Sequence, residues 1–163
     1  MKVHPFIVHA TMFVSSFIAG IALYYLLTIE QLQIFLQMLE PVLNQDGESQ
    51  KLQIILRTVV TFIIITIFAS HPILAIVSYF LIAAKVALFS LCSMYLVVEH
   101  QNVLAYSIWW FPIQLVQCFV LIIYFARLNK LKQKPKKVIA TIILFSIIEI
   151  SILLAELFII RYV

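Results

Sequence analysis

Stretches of eighteen or more predominantly apolar residues recur along the chain, and short polar breaks separate them. Such runs match a hydrocarbon layer about 30 Å thick, crossed at about 1.5 Å per helical residue. They divide into about five spans, over residues 5–27, 52–69, 73–98, 103–126 and 138–160. The first is longer than the core of a signal peptide and lacks a clear cleavage pattern, so it is expected to stay as a span. Within it Ser15, Ser16, Ala19 and Gly20 are spaced for close packing on another helix.

Residues 29–43 follow a different pattern. Leu32, Phe35, Leu36, Leu39 and Leu43 share one helical face, and Glu30, Gln33, Gln37 and Glu40 share the opposite one. The stretch is too short and too polar to span. It predicts an amphipathic helix at the membrane interface, with a water-facing helix packed on the spans as the competing reading. Pro41 and the Asn44 to Ser49 segment end it in a turn. Ser70-His71-Pro72 makes a tight break, with Ser70 placed to cap the next helix and Pro72 to fit its first turn. Pro112 falls inside the fourth span just after Trp109-Trp110, where either an aromatic belt or a kinked packing site would fit.

Composition strengthens the membrane reading. The 163 residues are 64% hydrophobic and 11% charged, with a mean hydropathy of +1.12. A soluble domain carries about a quarter charged residues. Only two glycines are present, which disfavours a tightly turned barrel. Helices must then satisfy the backbone in hydrocarbon. The expected fold class is an all-α integral membrane protein, one domain over 1–163.

Charge sets an orientation. Six of the eleven basic residues, Arg127, Lys130, Lys132, Lys134, Lys136 and Lys137, fall between the last two spans with no acid among them. That is the pattern of a cytoplasmic loop, not of a nucleic-acid surface. Counting back puts the His71 turn and the N-terminus in the cytoplasm. The turn at Glu99, the amphipathic helix and the C-terminus fall outside. The implied location is the cell membrane, with multiple passes, and no nucleic-acid partner is expected.

Four charges lie within the spans: Arg57, Lys85, Glu149 and Glu156. A central Arg, Lys or Asp costs about 2.5–3.5 kcal/mol on insertion scales, so such residues should face inward and pair. Depth along the helices matches Lys85 with Glu149 and Arg57 with Glu156. The two glutamates are seven apart, hence on one face. Gln114 and Gln117 are placed to add hydrogen bonds near Lys85. Ser78, Lys85, Cys92 and Glu99 repeat along one stripe of the third span. Such a polar seam either fixes helix register or lines a path for an ion, proton or peptide.

Cys92 and Cys118 fall inside spans, at different expected depths, as small core residues rather than a disulfide. His71 and His100 belong to opposite faces of the membrane, and His4 and His9 lie near the inner one. No HExxH, CxxC, GxSxG or P-loop spacing occurs, so neither a metal nor a cofactor is expected. Were the chain an enzyme, Glu149 and Glu156 would be its acid–base candidates.

The order of features resembles the stage II sporulation protein M family. In that family a short turn precedes a span with a central lysine. Here the turn is His71-Pro72 and the span holds Leu81-Ile82-Ala83-Ala84-Lys85-Val86-Ala87-Leu88-Phe89. A proline followed by polar amides comes next in the family, and Trp110-Phe111-Pro112-Ile113-Gln114-Leu115 is similar here. Val86 stands where the family has glycine, and Arg57-Thr58 where it has paired asparagines. Short members accompany circular bacteriocins. The resemblance implies a non-enzymatic membrane subunit that matures, exports or gives self-protection against such a hydrophobic peptide. Because the chain has no nucleotide motif, an ATPase and other membrane proteins are the implied partners, beside the lipid bilayer. Two alternatives stand: a membrane anchor for peptidoglycan-remodelling partners in sporulation, and a small transporter, channel or intramembrane peptide-processing enzyme working through Lys85 and Glu149.

Overall fold

The computed structural model describes residues 5–39, 47–71, 74–99, 103–131 and 134–160. They form six helices: α1 (Pro5–Leu26), α2 (Ile29–Leu39), α3 (Gly47–Ser70), α4 (Ala75–Glu99), α5 (Val103–Leu131) and α6 (Pro135–Ile160). No strand occurs among the described residues. All but α2 are long and apolar enough to cross a membrane, so the protein is an all-α, multi-pass membrane protein with five spans.

Helix ends depart from the apolar runs in instructive ways. α5 continues to Leu131 and α6 already begins at Pro135. The basic segment expected as a loop is therefore mostly helix ends. Arg and Lys are good helix formers, and Arg127 and Lys130 sit at the negative end of the α5 dipole. Pro135 suits a first helical position. Ser70 does not cap α4; as the last residue of α3, its hydroxyl donates to Thr66 O at 2.6 Å. α2 opens instead with a capping box. Gln31 N–H bonds Thr28 Oγ1 at 3.4 Å, and Thr28 N–H bonds Gln31 Oε1 at 3.2 Å. Glu40, Pro41 and Leu43, expected in or just after this helix, lie outside the described residues.

The spans alternate in direction. The start of α1, the His71 turn and the α5–α6 junction share one end, here termed the basic end. Tyr79 OH on α4 donates to Val8 O on α1 there, at 3.2 Å. α1 packs on α4, α4 also on α3 and α5, and α6 on α5 and α3. α5 is the most enclosed span.

Two core layers follow. Near the basic end Ile65, Ala69, Ile82, Leu121, Tyr124, Leu128 and Phe145 are buried together. Tyr124 stacks on Phe62 at 4.9 Å and meets Phe145 at 5.0 Å. Thr66 Oγ1 donates its one proton to Phe62 O, so Tyr124 OH is the donor in the 2.7 Å bond between Tyr124 and Thr66. The far layer holds Ile54, Val86, Phe89, Leu91, Leu96, Trp110 and Leu153. Trp110 is a packing residue, 5.8 Å from Phe89. α5 stays helical through Pro112, which is exposed. Cys92 and Cys118 are not joined in a disulfide, and both are buried in this cluster. Leu32 of α2 is buried there too, while Ile29 and Ile34 remain exposed. Leu32 thus docks α2 on the bundle end, while Ile29 and Ile34 leave apolar surface outward.

The α1–α4 contact depends on Gly20. A β-carbon there would collide with the Ala87 carbonyl oxygen and lie 2.8 Å from Ser90 Cβ. The two backbones touch, as small residues allow in lipid. Ser90 Oγ donates to Phe17 O at 2.7 Å across the same contact. Of the small residues expected there, Gly20 is buried and Ser16 half-buried, whereas Ser15 and Ala19 are exposed.

Candidate functional site

α6 carries Glu149 and Glu156 toward the bundle, 4% and 1% exposed. α5 answers with Gln114 and Gln117, also buried. Each amide serves one carboxylate. Gln114 Nε2 donates to Glu156 Oε1 at 3.0 Å, and Gln117 Nε2 donates to Glu149 Oε2 at 3.4 Å. Arg57 of α3 brings Nη2 to 3.7 Å from Glu156 Oε1. One carboxylate oxygen therefore faces both a guanidinium and an amide. Such an arrangement stabilises charge in a medium that otherwise penalises it. It suits anchoring of α3, α5 and α6 in one register.

Lys85 is placed differently from the expected pairing with Glu149. It lies within Coulombic reach of Glu149, yet no carboxylate among the described residues is within 4.0 Å of it. The cause is lateral order. α4 and α6 share little direct contact, and each packs instead on both α3 and α5. Gln117 of α5, not Lys85, is the side chain that donates to Glu149. Lys85 instead borders a cavity of about 230 Å³ between α3, α4 and α5, with Arg57, Thr61, Leu88, Phe89 and Gln114. Both expected glutamines belong to the seam, but only Gln114 shares the cavity with Lys85.

A second cavity, of about 180 Å³, lies between α3 and α6 and is bounded by Thr58, Phe62, Ser146, Glu149 and Leu153. Thr58 and Ser146 carry no charge, so the charges within the spans do not point to them. The available signal was the three-residue spacing of Ser146 and Glu149, which puts both on one face of α6.

The remaining candidates do not converge. Arg127, Lys130, Lys134, Lys136 and Lys137 are exposed at the basic end. His71 is exposed there, and His9 packs against Tyr79 and Phe125 at 6.1 and 6.3 Å. Lys132, His4 and His100 lie outside the described residues, and Ser78 of the heptad stripe is buried with its hydroxyl on Ile65 O at 3.2 Å. Among the described residues no three His, Cys, Asp or Glu side chains are grouped to hold a metal.

No protein-family model, curated protein or solved structure matches this chain.

Proposed function

We propose that this protein is a non-enzymatic subunit of the cell membrane that engages a hydrophobic peptide, of the circular bacteriocin kind, within the bilayer. Its role is in maturation, export or self-protection. Lys85 carries this reading. A lysine inside a span is costly without a partner, and this one borders an apolar-walled cavity between α3, α4 and α5. An acidic or carboxylate group on an apolar peptide would meet a positive charge there and bury its apolar remainder against Leu88 and Phe89. The resemblance to the sporulation protein M family rests on the same lysine and supports the same role. Energy for export would come from an ATPase partner, and the exposed lysines of the basic end, on the cytoplasmic side, offer it an acid-complementary surface.

A photoreactive amino acid at Leu88, in the full chain reconstituted in lipid nanodiscs, tests this. Irradiation with a hydrophobic circular bacteriocin is expected to give a covalent adduct that excess unlabelled peptide suppresses. Absence of an adduct, or one that excess peptide leaves unchanged, contradicts the proposal.

A further inference from the structure

Hydroxyl side chains in these helices have a default. Thr11, Thr66, Ser70, Ser93, Thr141 and Ser151 all donate to the carbonyl one turn back, at 2.6–2.8 Å. Thr58 departs from it. Its side chain is buried, at 6% exposure, and Oγ1 has no hydrogen-bond partner. Glu149, 4% exposed, has the same feature at Oε1, although its Oε2 accepts from Gln117. Both residues line the cavity between α3 and α6, and Ser146 joins them from the Glu149 face of α6. Buried oxygens are rarely left without a partner, least of all in hydrocarbon.

We propose that Glu149, Thr58 and Ser146 form a binding site for Na⁺ inside the membrane. The donor set is one carboxylate and two hydroxyl oxygens, with no nitrogen or sulfur. Hard cations prefer such oxygens. One negative charge balances one monovalent ion, whereas a divalent ion would leave a net charge in lipid. The surrounding charges agree. Arg57 of α3 faces Glu156, one heptad beyond Glu149. Lys85 attracts Glu149 without touching it, and Glu156 repels it. Glu149 thus lacks a contacting cation among the described residues. The site is independent of the peptide reading, which rests on the cavity at Lys85.

Thermal unfolding of the full-length protein in detergent tests the site, with NaCl compared against choline chloride at equal ionic strength. Na⁺ is expected to raise Tm saturably, by about 3 °C or more once the ion is in large excess over its Kd. Thr58→Val, which keeps shape and removes the oxygen, should cut that increment at least by half. Glu149→Gln should abolish it. Equal Tm in the two salts overturns the proposal, and so does an increment unchanged in either variant. Stabilisation by acid alone, without Na⁺ dependence, would mean that Glu149 takes a proton or a bridging water, and it overturns the Na⁺ site as well.

Discussion

Arg57 Nη2 stands 3.7 Å from Glu156 Oε1, tying α3 to α6 in the interior of the bundle. The same oxygen accepts from Gln114, so α5 is held at that point too. Removing one partner takes a countercharge away from the other. Arg57→Gln or Glu156→Gln should each destabilise by about 3 kcal/mol, the low end for a buried pair because Arg57 keeps about a fifth of its side chain exposed. The double variant should cost clearly less than the sum of the singles. Reversible unfolding in mixed micelles gives all three values, and additivity would show that the two side chains act independently.

Gly20 sets the distance between α1 and α4. An added methyl must displace the Ala87 carbonyl or Ser90. Gly20→Ala should therefore destabilise by about 1–3 kcal/mol, and Gly20→Leu should detach α1. Ser90→Ala, which removes only the bond to Phe17 O, should cost about 0.6 kcal/mol, the average for interhelical bonds in membranes. Thermal unfolding ranks the three, and the order Leu, Ala at position 20, then Ala at 90 is the expected one.

Orientation is open to direct labelling. Cys92 and Cys118 are buried, so the native thiols give little background. A cysteine at Lys134 or Lys136 should react with an impermeant maleimide only after the cells are permeabilised. One at Val163 should react in intact cells. The reverse pattern would invert the proposed topology.

What could be read in the sequence was height. Apolar run length located all five spans, and depth counting put Arg57 beside Glu156. Lateral order left no such trace. Nothing in the spacing of Lys85 and Glu149 tells that their helices share little direct contact. Helix ends leave a misleading trace, because Arg127 and Lys130 interrupt hydropathy without interrupting a helix. Thr58 and Ser146 carry no mark of their own in the sequence, because a hydroxyl in a span ordinarily bonds its own backbone. Only the structure distinguishes Thr58, whose buried hydroxyl has no hydrogen-bond partner, from Thr66 or Thr141.

Lys85 separates a structural seam from a working one. Were it paired directly with Glu149, Lys85→Met would cost about 3–5 kcal/mol. With no carboxylate among the described residues in contact, the substitution should leave stability within about 1 kcal/mol while removing the charge the cavity offers a peptide. The decisive measurement is the affinity of the full chain in nanodiscs for a hydrophobic circular bacteriocin, wild type against Lys85→Met. A loss of about tenfold, equivalent to about 1.4 kcal/mol, with Tm nearly unchanged is the predicted result. Equal affinity, or a loss that follows a collapse of stability, would contradict it.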